Sequence, residues 1–351
     1  MSAVAAKSPA RPRPSERPFP IRHCPLVVLA GVLIVAALLV LHISVGTVDV
    51  SPGDVINVLT GQQTNELTHT VVWDLRLPRA LVAICAGAML ALAGAILQSL
   101  TGNPLAEPDL TGASAGGVLF AVLWLSRQLV GWSTAPPSAE VAVIALLGSL
   151  ASGGLVYLLS WQRRTSAVRL VLTGVLVSTI LRALTSLVLL RNQNAIGGIV
   201  LWIIGSLNGR TWVHWEAIWP WALLGVPLGL VCAGAANGLQ LGDEIAAGLG
   251  MRIERVRALL LFVAVLLTAG AVSVVGALGF LGLIAPHLAR RIVGDDARRV
   301  FPLSAVMGAI LLLVADIVAR SVTQPNELPV GALMSLLGAP FLMFLLWRGI
   351  R

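Results

Sequence analysis

Leu75-Arg76-Leu77-Pro78-Arg79 opens an apolar run, and Asn103-Pro104-Leu105-Ala106-Glu107-Pro108-Asp109-Leu110-Thr111-Gly112-Ala113-Ser114-Ala115-Gly116 follows at its far end. The run is about 20 residues long, enough for one helix to cross a bilayer. Two arginines stand at its mouth, a polar hairpin broken by Pro and Gly closes it, and a second apolar run leaves from there. Broken backbone at a membrane boundary is costly unless protein or water satisfies the freed groups. Motifs of this kind belong to transport paths more often than to anchors.

The composition agrees. Hydrophobic residues make up 57% of the 351 and charged residues only 11%, against about 25% charged in soluble domains. The chain therefore reads as an all-α polytopic membrane protein. Apolar spans fall near 26–45, 80–100, 110–130, 139–160, 168–190, 212–235, 258–277, 302–322 and 330–348. A shorter tenth, near 280–293, opens with the broken run Gly279–Pro286. Residues 1–22 are basic and Pro-rich and read as a disordered cytoplasmic tail. Residues 23–351 read as one transmembrane domain. The run 24–45 is longer than a signal-peptide core and no Ala-x-Ala site follows it, so it is expected to stay as the first span.

The net charge of +8 invites a nucleic-acid partner, but its distribution argues for topology instead. With the N-terminus inside, 17 of the 24 basic residues fall on the cytoplasmic side. Six fall outside (Arg76, Arg79, Arg127, Arg191, Arg210, Arg320), and Arg182 lies within a span. That bias follows the positive-inside rule and puts both termini in the cytoplasm. Cys24, Cys85 and Cys232 are isolated and read as small hydrophobes, not as a metal site. Lys7 is the only lysine. A P-loop needs a lysine after its Gly-rich turn, so any ATP hydrolysis must sit on another subunit.

The two halves echo each other weakly. Arg79-Ala80-Leu81 and Arg257-Ala258-Leu259 each open a span that leads to a Pro-broken segment, at Pro104 and Pro286. On the topology above the two spans run in opposite directions, as in an inverted repeat with the substrate path between halves. The cytoplasmic stretch 237–257 is too polar to span. Asp243 is placed to cap a short helix, Glu244 lies in its first turn, and Gly250 supplies a stop.

These motifs, in this order, resemble the permease subunits of ABC importers for iron-siderophores and cobalamin. The resemblance rests on 75–117, on Asp243-Glu244-x-Ala246-x-x-Leu249-Gly250, on Gly276–His287 followed by Leu-Ala-Arg-Arg, on Ala315-Asp316-Ile317-Val318-Ala319-Arg320, on Glu327–Gly331, and on Leu337–Phe341. It covers about 75–348. The segment 201–209 resembles the siderophore branch more than the cobalamin branch. The resemblance implies an extracytoplasmic binding protein that docks through two glutamates on Arg76, Arg79 and Arg320. It implies two cytoplasmic ATPase subunits met by Asp243, Glu244, Ala246, Leu249 and Gly250. Asn103, Pro104, Thr165, Ser166, Gly279 and Pro286 are then expected on the translocation path or its gate. A second permease, identical or related, completes the assembly. Ferric siderophore is the expected substrate, with haem and cobalamin as alternatives. No cofactor is expected on this chain.

Other readings stand beside this one. A proton- or sodium-driven secondary transporter would carry acidic residues in mid-span, whereas Asp and Glu here sit in loops or near span ends. Gly112-Ala113-Ser114-Ala115-Gly116 matches a hydrolase nucleophile pattern, with His287 as the one base, but it lacks the strand-to-helix elbow. His287 is read as a helix-start residue bonded to backbone. Asp74 and Asp316 are the local candidates to neutralise the outer arginines, with Asp316 and Arg320 four apart on one face. Arg182 is read as lining a path, and Trp212, Trp215, Trp219 and Trp221 as interfacial anchors.

Overall fold

A computed structural model describes residues 24–46, 48–62, 64–127, 138–160, 167–191, 200, 202–322 and 326–349. Thr165, Ser166 and the basic tail lie outside them.

Ten helices occupy the ten expected apolar segments. They are α1 (Cys24–Ser44), α4 (Leu77–Thr101), α5 (Ala113–Arg127), α6 (Ser138–Ser160), α7 (Ala167–Arg191), α8 (Trp212–Val231), α11 (Ile253–Val275), α12 (Leu281–Val293), α13 (Ala297–Ser321) and α14 (Val330–Gly349). Among the described residues six shorter elements join them: α2 (Pro52–Leu59), α3 (Glu66–His69), a π-helical turn at Thr70–Arg76, a 3-10 turn at Pro108–Thr111, α9 (Ala233–Gln240) and α10 (Asp243–Gly248). Among the described residues six spans are long and apolar enough alone to cross a membrane, and α8 with α9 makes a seventh, bent by 42°. α5 and α12 are shorter, at 15 and 13 residues. Short and interrupted helices survive at membrane depth where neighbouring helices satisfy the backbone.

Two spans form the centre. The apolar window that includes α4 is 78% buried and that of α11 is 83% buried. Small residues make this possible. Gly94 of α4 lies against the Gly282 carbonyl of α12, and Gly87 against Gly308 of α13, with no room for a Cβ at either crossing. Backbones that approach so closely maximise dispersion contact where no hydrophobic force separates helix from lipid. α7 is the opposite case. Leu172, Leu176, Ile180, Leu187 and Leu190 all point outward, a face suited to lipid or to another subunit.

Where spans break, positive φ marks the bend. Gly102 (φ 63°) ends α4 and Gly112 (φ 76°) opens α5. Gly276 (φ 77°) ends α11, and Phe280 (φ 64°) begins α12. Phe280 is the one non-glycine with positive φ among the described residues, a conformation that needs support from its surroundings.

The structure departs from the sequence reading at two places that matter for the site. α4 does not begin freely at Arg76: a π-helical turn, Thr70–Arg76, carries helix from α3 straight into it. Such turns recur at functional sites because the extra residue re-aims side chains. His287 and Pro286 do not start a helix either, since both lie inside α12. His287 accepts a hydrogen bond from Arg291 Nε (3.1 Å), and its ring meets the edge of Phe341.

Candidate functional site

Three regions collect the chemistry. The first is a charged cluster on the side assigned to the outside, built from α1, the π-turn, α4, α13 and the segments around 205–211 and 326–329. It brings Arg76, Arg79 and Arg320 together, as the motif reading required, but buries them: they are 7%, 7% and 5% exposed. Arg79 grips Asp316 with two bonds, Nε to Oδ2 at 2.9 Å and Nη2 to Oδ1 at 2.8 Å, and reaches Glu327 Oε2 with Nη1 at 2.8 Å. His42 Nε2 lies 2.7 Å from Asp316 Oδ2. Arg76 donates to the carbonyls of Ile43 (2.7 Å), Ser44 (3.0 Å) and Val48 (2.6 Å). Arg320 donates to the His42 carbonyl at 2.8 Å.

The local neutralisation expected from sequence is therefore half right. Asp316 serves Arg79 and His42 first, with Arg320 Nε at 3.6 Å, and the group is buried, not an exposed surface pair. Asp74 is exposed and forms no ion pair with any described residue. A pocket of about 270 Å³ opens over this cluster, lined by Arg76, Arg79, Arg210, Arg320, Asn208 and Glu327 among others. Arg210 is an outer basic residue to which the sequence motifs assign no site role. Its one sequence signal was that it ran against the charge bias.

The second region is a cavity of about 630 Å³ between the 102–112 hairpin, α5, α7 and the 276–280 elbow. Its polar lining includes Glu107, Asp109, Ser114, Arg182, Ser186 and Ser335. Arg182 Nη2 donates to Asp109 Oδ2 at 2.7 Å, so the mid-span arginine does face a cavity. The Glu107 carboxylate accepts from the backbone N–H of Phe280 and so braces the strained elbow from the hairpin. Burial, helped by the neighbouring Asp109, pushes the Glu107 carboxyl up to about 7. Of the expected path residues, Gly279 lines this cavity. Asn103 and Pro104 stand exposed at the hairpin tip, and Pro286 is buried within α12. Gln98, which sequence reading passed over, ties the two broken segments together. Its amide donates to the carbonyls of Ala106 and Gly282, both at 3.2 Å, and its oxygen accepts from Arg290.

The third region is the turn α9–α10. Gly242 (φ 90°) and Gly250 (φ 83°) bracket α10. Asp243 is its first helical residue and accepts from Arg257 Nη2 at 2.9 and 3.1 Å. Ala246 is buried and anchors the turn, while Glu244, Ile245, Leu249 and Gly250 are exposed. Leu249 is 73% exposed. Large apolar groups held in this way beside a carboxylate form a contact surface.

A bundle of short, broken and glycine-crossed spans around a polar cavity, with a charged pocket at one end and an apolar turn at the other, defines a polytopic membrane transport protein. The chain belongs to the FecCD transport family, whose model matches residues 33–348. It is 36% identical over 334 residues to the iron(3+)-hydroxamate import system permease protein FhuG of Bacillus subtilis (strain 168), across 92% of this chain and 97% of that one. It is 35% identical over 309 residues to the Fe(3+)-citrate import system permease protein YfmD of the same organism, across 88% and 90%. A solved structure described as an inward-facing conformation of a metal-chelate type ABC transporter shares the fold at a TM-score of 0.81. It is 28% identical and covers 92% of this chain and 99% of its own.

Proposed function

We propose that this chain is the membrane-spanning permease subunit of an importer that carries ferric siderophores or kindred iron chelates across the cytoplasmic membrane, with both termini in the cytoplasm. ATP is hydrolysed on two separate ATPase subunits, a second permease copy or paralogue completes the path, and this chain holds no cofactor of its own. One observation carries the reading: near-full-length relatives at 34–37% identity are permease proteins named for ferric hydroxamate, ferric citrate and siderophore systems. The geometry fits each part. The α9–α10 turn, with Leu249 and Ile245 exposed beside Glu244, suits a groove in an ATPase. The 630 Å³ cavity faces out along Arg182 and Ser186 of α7, where a second permease would enclose it. A charge in a span needs such an enclosure, because lipid cannot solvate it. The arginine-lined outer pocket suits the carboxylates of a docking protein.

The test is iron uptake in cells. Deleting the gene should abolish accumulation of labelled iron from at least one ferric siderophore or ferric citrate and leave cobalamin uptake unchanged. Restoring the chain should restore the flux. Loss of cobalamin or haem uptake alone would overturn the substrate assignment.

A further inference from the structure

Pro286 leaves a gap in the hydrogen bonding of the helix that carries it, and Gln98 fills that gap. In α12 the N–H at position 286 would bond the carbonyl of Gly282, four residues back, but proline has no N–H to give. The Gly282 carbonyl is thereby freed inside a span. Lipid supplies no donor there, and an unpaired polar group costs free energy. The group that reaches this carbonyl is the side-chain amide of Gln98, on α4, with Nε2 at 3.2 Å.

The same nitrogen carries a second bond, to the Ala106 carbonyl of the 102–112 hairpin, also at 3.2 Å. On the other side of the amide, Oε1 accepts from Nη1 of Arg290, further along α12. A glutamine amide has two N–H donors and an acceptor oxygen. Both donors here meet carbonyls and the oxygen meets a guanidinium, so one orientation of the amide satisfies all three partners. Gln98 is 3% exposed, and water competes little for bonds at that depth. Packing reinforces the junction. The Pro108 ring of the hairpin and the Leu90 carbonyl of α4 crowd Gly282 and leave no room for a Cβ.

The two segments joined in this way are two walls of the cavity of about 630 Å³. Glu107 and Asp109 of its lining come from the hairpin, Gly279 and Phe280 from the elbow that begins α12, and Gln98 is not among the lining residues. We propose that Gln98 is a positioning residue for transport: it supplies the donor that Pro286 lacks, fixes the hairpin to the broken helix α12, and so sets the spacing of these cavity walls. The Glu107 carboxylate, bonded to Phe280 N–H, is a second tie between the same two segments. Loss of Gln98 therefore loosens the walls without releasing them. That the cavity is the route of an iron chelate rests on the importer reading; the replacement of the missing proline donor does not.

Restoring the missing N–H gives the test. Gln98→Met keeps a similar volume and removes both donors, while Pro286→Ala returns a backbone donor to the Gly282 carbonyl. In denaturant unfolding of the full-length chain in micelles, Gln98→Met should lower the folded-to-unfolded ratio about tenfold or more, the effect of leaving buried carbonyls unpaired. With Pro286→Ala already present, the same substitution should cause a several-fold smaller loss, because one of the two carbonyls no longer depends on Gln98. Equal losses in the two backgrounds would overturn the donor replacement. Should Gln98→Met fail to fold, the same cycle is run with Gln98→Asn, whose amide stops one carbon short, and equal losses would again overturn it. The transport arm uses the permease assembled with its ATPase and binding protein in liposomes. Gln98→Met should deliver several-fold less labelled ferric citrate or ferric siderophore per ATP hydrolysed, and adding Pro286→Ala should restore part of that yield. A wild-type yield per ATP in Gln98→Met would overturn the positioning role. Absence of iron uptake by the wild-type assembly would count against the importer reading and leave the unfolding cycle to decide the role of Gln98.

Discussion

Replacing Asp316 tests the reasoning about the outer cluster most severely. Asp316 is 1% exposed and holds two bonds from Arg79, one contact to His42 and a longer one to Arg320. Asp316→Leu removes the anion and leaves Arg79 and Arg320 buried. Breaking a buried pair on one side costs about 3–5 kcal/mol, mostly from the charge left behind. Glu327 still holds Arg79 at 2.8 Å, so the loss should fall near the lower bound, about 3 kcal/mol. The double variant Asp316→Leu with Arg79→Met takes out both charges and should recover most of that loss, because a well-packed apolar pair often replaces a buried ion pair at little cost. Glu327 is then unpaired but partly exposed and can be hydrated. Denaturant unfolding in micelles, run as a double-mutant cycle, measures the coupling. A single variant within about 1 kcal/mol of wild type would place this cluster with weak surface pairs and refute the argument. So would a double variant that loses the sum of the two single losses.

Other outcomes follow from the two crossings and the two polar segments. Gly94→Val should destabilise by more than the roughly 1–3 kcal/mol of ordinary overpacking, because the obstacle is the Gly282 backbone and not a movable side chain; an unfolding curve like wild type would contradict the crossing. The Glu107 carboxyl is raised from 4.5 to about 7, chiefly by burial. The folded state then binds more protons than the unfolded one between those values, and stability falls as pH rises from about 4.5 through 7. In Glu107→Gln, which can still accept from Phe280 N–H, that part of the slope should vanish; an unaltered stability–pH curve would show that Glu107 ionises normally. Gly250→Trp places bulk beside exposed Leu249, and it should lower transport and substrate-stimulated ATP hydrolysis together at normal membrane abundance. Full transport by this variant would leave the α9–α10 turn a mere connector.

Much of this was legible in the sequence. All ten apolar runs became helices, the hairpin after Asn103 broke where Pro and Gly stood, and Gly250 took the positive φ expected of a helix stop. These features are local, fixed by apolar run length and by single-residue backbone preferences. What remained hidden depends on distant partners. Asp316 meets His42 across 274 positions and Arg79 across 237, so the depth at which these charges lie could not be read from spacing. A charge inside a span needs a partner, and that rule, pressed harder, would have linked Asp316 to the histidine that ends α1. The π-turn Thr70–Arg76 left no mark either. Its residues are ordinary, and the extra residue is tolerated because packing around Arg76 holds it. Arg210 could be counted outside from topology, but its contacts with His214 and Trp202, and the absence of a carboxylate beside it among the described residues, belong to the folded neighbourhood alone.

The proposed function is ATP-driven iron-chelate import with the motor on another subunit. Its most direct measurement is uptake of labelled ferric citrate or ferric siderophore into liposomes that hold this permease assembled with its ATPase and supplied with binding protein. Uptake should require ATP on the ATPase side, cease with a hydrolysis-dead ATPase, and persist when proton and sodium gradients are collapsed. Uptake by the permease alone, driven by an ion gradient and indifferent to ATP, would contradict it.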